Sequence, residues 1–422
     1  MKMLNNANMK NLVYAFKKIL NNKSGKINEK WRYDVSGILN SQPLAFDIDG
    51  DGEYEIITGT SKGDLVALNK KGELKWKYSV REEVDDLELM FLDSASINSV
   101  TNSPHAADLF DNGTTNILFG TELGYVYMLS FEGKLVWKFK AGASIRGKVI
   151  SYKFKDGKKN IIFSSLDKYI YCLTNRGELI WKFNAGSEVE GTANVIDGKV
   201  ICGTLSGDVL CLNELGELVW KFKTDSNIVA QPIGDKLGTP TIKILLGSTN
   251  GKLYCLDSSG HIYWEFKTGG AIYDKVAIAD VNRDGKPEIL FGSCDNNVYC
   301  LNTDGKKIWS FETDFWVVSS PLIFDLDKDG KLEIIVGSYD HNLYILDGDG
   351  SYVLDYAPGI SGTVHQPGSY SDVMTQEPGE LVGKKIWQFN VEGVVVGCTM
   401  LGTDVVLSTK KGHVKKISHQ KS

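Results

Sequence analysis

Seven times in this chain of 422 residues a glycine is followed four positions later by a tryptophan: Gly72/Trp76, Gly133/Trp137, Gly177/Trp181, Gly216/Trp220, Gly260/Trp264, Gly305/Trp309 and Gly383/Trp387. Successive tryptophans stand 61, 44, 39, 44, 45 and 78 residues apart, a basic period of about 44 that falls in the range of four-stranded propeller blades. The stretch from Asp280 to Phe311 shows the unit most fully: an acidic loop, an apolar run ending in Gly-Ser, the run Val-Tyr-Cys-Leu, and then the Gly-to-Trp pair. Four short strands, A to D, account for each unit. In the one that holds Trp76 they are expected at 39–46, 55–60, 64–68 and 73–78. Strand B is a near-continuous apolar run, the pattern of a strand covered on both faces by neighbouring sheets.

Counting strands closes the figure. After Trp387 the chain supplies three more candidates, at 391–400, 404–409 and 413–417, and lacks a fourth. The segment from Glu29 to Tyr33, with Trp31 in it, has the look of a D strand but no A, B or C strand before it. Pairing the two ends removes the open edges that an unclosed array would expose. The expectation is an all-β, eight-bladed β-propeller of four-stranded antiparallel blades, or seven-bladed if one weak unit is an insertion. The propeller would span 26–418, after an N-terminal helix and linker (1–25) and before a short tail (419–422). Met9 to Asn21 carries the apolar stripe Leu12, Phe16, Ile19 and Leu20 expected of that helix. Two insertions interrupt the period: 81–100, which begins as an acidic segment with Leu87, Met90 and Phe91 on one side, and 348–382, rich in Gly, Pro and Ser.

Charge and cysteine usage narrow the function. A net charge of −6 with Lys and Glu intermixed argues against a nucleic-acid partner held through phosphates. No apolar run approaches the roughly 18 residues that span a bilayer. Leu12 to Phe16 is too short for a secretory signal. Four of the seven cysteines, Cys172, Cys211, Cys255 and Cys300, share one repeat position with Ala67, Met128 and Ile345, so they read as small buried hydrophobes. A reducing, cytoplasmic setting is expected.

The repeats resemble the quinoprotein-dehydrogenase-like (PQQ-like repeat) β-propellers, whose eight blades carry a Gly-x-x-x-Trp docking motif at each D strand. The match covers about residues 26 to 418. Three loops look like those of a second family, the FG-GAP repeats of integrin-type propellers, whose A–B loop binds calcium: Asp47-Ile-Asp49-Gly-Asp51-Gly-Glu53-Tyr-Glu55, Asp280-Val-Asn282-Arg-Asp284-Gly-Lys286-Pro-Glu288 and Asp325-Leu-Asp327-Lys-Asp329-Gly-Lys331-Leu-Glu333. Oxygens at alternate positions of a curled loop converge, which suits a hard cation taking six to eight of them. The side chains at positions one, three, five and nine would serve, with the backbone carbonyl of Glu53, Lys286 or Lys331. Up to three structural Ca²⁺ ions are therefore expected. Blade 2 keeps Asp108 but has Phe110, Asn112 and Asn116 at the other places, and should hold none.

Three functions are open to such a chain. The first is a non-catalytic platform for a protein partner, with D–A connections and B–C loops on one face and A–B and C–D loops on the other. Phe315, Trp316, Tyr339, Asp340 and His341 would form an aromatic patch on the first face. The second, a PQQ-dependent dehydrogenase, is what the family resemblance alone implies. The adjacent cysteines over the cofactor are lacking, so PQQ is not expected. The third is a small-ligand or glycan binder using a central channel lined by Gln42, Ser103, Arg146, Glu190, Gln231, Asp274 and Ser320.

Overall fold

The computed structural model describes residues 26–82, 97–155, 157–352 and 381–420. Every regular element among them is a β-strand. The strands make eight sheets of four, all paired antiparallel, and in seven of them the strands follow one another in chain order. In the eighth, the first strand, Lys26–Asp34, lies against the last, His413–Gln420, and beyond it come Asp404–Thr409 and Val395–Leu401. Trp31 pairs with Lys416 and Tyr33 with Val414. The chain is thus an eight-bladed β-propeller closed by its two ends. The predicted helix at 9–21 and most of both insertions fall outside the described residues.

Blade packing explains the apolar B strands. Glu55–Gly59, Asn116–Gly120, Lys243–Gly247, Glu288–Gly292 and Glu333–Gly337 are buried at every position, because each sheet has a sheet on both sides. Eight apolar clusters fill the eight gaps between blades. The one that joins the last blade to the first sets Val406 and Val414 against Leu39, Ile56 and Leu68. Cys172, Cys211, Cys255 and Cys300 are buried in these layers, and all seven cysteines stand outside any disulfide.

The Gly-to-Trp pair works between blades. Trp31, Trp76, Trp137, Trp181, Trp220 and Trp264 lay their rings on Gly72, Gly133, Gly177, Gly216, Gly260 and Gly305 of the next blade, where an added Cβ would sit 2.5–2.8 Å from the ring. These glycines also have φ between +76° and +86°, which a side chain disfavours. Each indole N–H donates to a carbonyl in the same neighbouring C–D turn, and with Trp309 the seven bonds span 2.9–3.3 Å. Blade 7 departs from the rule. Its C and D strands, Asn342–Tyr352 and Leu381–Asn390, run on as a long hairpin, so Gly383 lies inside a strand instead of a turn and the insertion narrows to 353–380. The hairpin covers Trp309, which is 1% exposed.

Candidate functional site

The acidic loops join strands A and B, and their curl comes from their own carboxylates. The first Asp accepts the N–H of the sixth-position glycine: Asp47 from Gly52 at 2.9 Å, Asp280 from Gly285 at 3.0 Å and Asp325 from Gly330 at 2.9 Å. The ninth-position Glu, buried at the start of strand B, reaches back to the second N–H of the loop, at 3.1 Å from Ile48, 3.0 Å from Val281 and 2.8 Å from Leu326. Asp108 of blade 2 bonds Gly113 N–H at 2.8 Å in the same way, so this turn forms without the full set of acidic side chains.

The loops differ at their centres. Oxygens of Asp47, Asp49 and Glu55, and of Asp325, Asp327 and Glu333, come within 4.8 Å of one another. These are positions one, three and nine. At position five, Asp51, Asp284 and Asp329 instead accept the N–H of Glu53, Lys286 and Lys331, at 2.7 to 2.8 Å. In blade 6 the third position is Asn282, whose amide donates to Glu288 at 3.1 Å. Burial and the charges of Asp284 and Asp280 push the Glu288 carboxyl up, a strain that a cation would relieve. In blade 1 a cation is built in. Lys75 Nζ stands 2.6 Å from Asp49 and 2.9 Å from Glu55, and its hydrogen bond holds the Asp49 carboxyl below the usual carboxylate range. In the three blades with complete acidic loops the residue before the tryptophan is Lys only there; Ile308 and Ile386 occupy the place in blades 6 and 7. Blades 1 and 7 thus bring three carboxylates together, in blade 1 around an ammonium, and blade 6 pairs its buried carboxylate with an amide.

The opposite face holds a funnel of about 590 Å³. Asn40, Thr101, Arg146, Glu190, Val229, Tyr273 and Val318 line it, one from each of seven consecutive blades, so it lies on the ring axis. Arg146 bonds Glu122 at 3.1 Å and Glu190 at 3.2 Å across one side. Tyr273, 44% exposed, faces it from another blade. Of the residues expected to line the channel, Arg146 and Glu190 reach the funnel. Gln42 is engaged by the Cys398 carbonyl and Asp274 by the Ser320 N–H. Beside the funnel, Phe315 and Trp316 stack at 5.1 Å, 45% and 43% exposed, and Tyr339 lies 6.2 Å from Trp316. The expected aromatic patch therefore exists and faces solvent.

A further motif recurs in the B–C loops. Asp167, Asp295 and Asp340, each two residues after a serine in the B–C loop, accept the hydroxyl of Tyr171, Tyr299 and Tyr344 four residues on, at 2.6 to 2.7 Å. The same carboxylates take the N–H of Gly142, Gly269 and Asp314 from the incoming D–A connection. Ser-x-Asp-x-x-x-Tyr, spelled three times, is the signal that was available. It fixes the loops that frame the funnel.

Comparison with known proteins agrees with this fold. The family described as the Lambda-carrageenase beta-propeller domain matches residues 19–88 and 267–357, the two stretches that contain the three complete acidic loops. Lambda-carrageenases of a Pseudoalteromonas species and of Pseudoalteromonas carrageenovora are 35% identical over 52 residues, which is 12% of this chain and 6% of theirs. Among solved structures, BamB from Moraxella catarrhalis superposes with a TM-score of 0.64 at 16% identity over 93% of this chain and all of that one. The computationally designed Ika8 protein gives 0.62 at 13% identity over 91% and 96%, and BBS1N in complex with ARL6DN gives 0.50 at 13% over 76% and 91%. Identities this low establish the shared fold alone.

Proposed function

We propose that this propeller is a non-catalytic recognition module that binds a protein partner on the face carrying the funnel. The observation behind the reading is the aromatic cluster of Phe315, Trp316 and Tyr339. Its backbone is fixed by Tyr339 N–H to Trp316 O at 2.9 Å and by Asp314 N–H to Asp340 at 3.1 Å. Large rings held rigid in water, with polar loops around them, are the makings of a binding hot spot. One of the superposed propellers, BBS1N, was solved in complex with ARL6DN. The experiment is affinity purification from the native host with wild type and with Phe315→Ala/Trp316→Ala, whose exposed side chains carry little of the fold. Partner recovery should drop at least about tenfold, as loss of a hot spot of roughly 2 kcal/mol implies. Equal recovery at equal melting temperature would overturn the reading.

Calcium belongs to the same proposal as a structural ion, in the loops of blades 6 and 7, with Lys75 taking its place in blade 1. Chelation should lower the melting temperature and added Ca²⁺ restore it; an unchanged transition in EDTA would remove the ion from the account. The seven reduced thiols, six of them buried, support a reducing, cytoplasmic setting. The family match favours a second reading, in which the funnel face holds a saccharide. A glycan array separates the two, since a scaffold gives no hits that depend on Arg146 or Tyr273.

A further inference from the structure

One place in the repeat, four residues before the first strand of a blade, supplies the seven residues that ring the funnel. In blade order they are Asn40, Thr101, Arg146, Glu190, Val229, Tyr273 and Val318, so the wall has two unlike halves. Blades 1 to 4 give a polar half, to which Glu122 adds a second carboxylate. Blades 5 to 7 give an apolar half with one large ring, that of Tyr273. Acceptor oxygens dominate the polar half. Arg146 spends its guanidinium on Glu122 at 3.1 Å and on Glu190 at 3.2 Å, and the Thr101 hydroxyl donates to the Ile145 carbonyl. Two carboxylates against one guanidinium leave the lining with an excess of negative charge. Lys148 and Lys275, two residues further along the chain from Arg146 and Tyr273, are not among the lining residues.

Granted the reading in which the funnel face holds a saccharide, we propose that the sugar is uncharged: a pyranose whose hydroxyls donate to Glu122 and Glu190 while its C–H face rests on the Tyr273 ring, and whose sulfated form is excluded. A pyranose has the same two-sidedness as the wall, with hydroxyls around its edge and C–H bonds across its face. Hydroxyls that donate to ionised carboxylates make the stronger class of hydrogen bond. Tyr273, 44% exposed, offers apolar area on a side chain with few rotamers to lose. A sulfate set among the same oxygens would meet two carboxylates whose one counter-ion is already shared, and like charges at that range oppose each other. The volume of about 590 Å³ lies within the roughly 300–1,000 Å³ of small-molecule sites.

The probes are the methyl glycosides of glucose, galactose, mannose and N-acetylglucosamine, each beside its own 6-sulfate, titrated into the full chain and followed by ligand-observed magnetic resonance. At least one neutral glycoside should bind, and its sulfate should bind about tenfold more weakly or worse. Tyr273→Ala should weaken the neutral sugar by about tenfold. Glu190→Gln, which removes one of the two opposing charges and keeps the shape, should narrow the gap between sugar and sulfate by about threefold or more. Both side chains are partly exposed, so an unchanged melting temperature is expected of each variant. A sulfate that binds as tightly as its parent sugar, or a gap that Glu190→Gln leaves unchanged, would overturn the proposal while the saccharide reading stands. A neutral sugar that binds Tyr273→Ala as well as wild type would remove it from this seat. Silence from every member of both series would overturn the proposal and the saccharide reading together.

Discussion

Single side chains in this molecule do work that the strand pattern hides. Lys75 is the sharpest case, because a lone ammonium satisfies two carboxylates, one of them the buried Glu55. Lys75→Met removes it and leaves Asp49 and Glu55 facing each other. Stability measured by urea in EDTA should fall by about 1–3 kcal/mol, less than a fully buried pair would lose because Lys75 is partly exposed. Calcium should return more of that loss than it adds to wild type. His105 gives the chain a pH response. Burial, helped by the Lys148 charge, lowers it to about 4 from an ordinary 6.5, so the native state binds the proton less well than the unfolded chain. Its contribution is complete above pH 6.5 and declines as pH falls towards 4, by up to about 3 kcal/mol. A urea series across that window should show the decline, and His105→Asn should flatten it.

At the level of the blade, one rule repeats: a tryptophan of one sheet rests on a glycine of the next. Gly216→Ala places a methyl 2.6 Å from the Trp181 ring at a backbone φ of +80°. Overpacking and the left-handed backbone together should cost roughly 2–4 kcal/mol, read as a shift in the urea midpoint without a change in slope. This rule was legible in the sequence because its geometry tolerates only one residue type at one place. The apolar B strands were legible for the same reason, since a sheet covered on both faces has no room for alternation. The acidic loops were legible as loops, but Lys75 was not legible as their cation. It sits twenty residues after Glu55 on another strand, at a bulge where Ala67 faces Trp76 and Leu68 faces Leu74. The long hairpin of blade 7 escaped as well. Gly383 kept the spelling of a turn while the paired residues Ser351 and Val382 carried the strands past it. The funnel was half legible: Arg146 and Glu190 were named, but Tyr273 lies one residue from the expected Asp274, and only the fold shows which of the two faces the axis.

For the whole ring, closure is the deciding event. The strand Lys26–Asp34 completes the last blade, and its contacts reach beyond backbone pairing. Lys415, 1% exposed, bonds Glu29 at 2.9 Å and lies 3.6 Å from Glu392, which Arg32 meets at 3.0 Å. A cross-link at this seam should stabilise the molecule more than one within a blade, because it joins the most distant parts of the chain. Lys26 and Gln420 are register partners. Lys26→Cys/Gln420→Cys, oxidised, should add roughly 2–4 kcal/mol over its reduced form in a denaturant titration. An equal midpoint in both forms would mean that the seam is not where the ring opens. That seam also sets a schedule for biosynthesis. The strand that leaves the ribosome first is fixed last, after about 390 further residues have been translated, a wait on the order of 20 to 80 s at ordinary elongation rates. The seven chain-ordered blades are completed one after another in that interval and stand as an incomplete arc until it ends. Until the last three strands emerge, Lys26–Asp34 has no sheet to join, and shielding that lone strand becomes a task for the cell's chaperones.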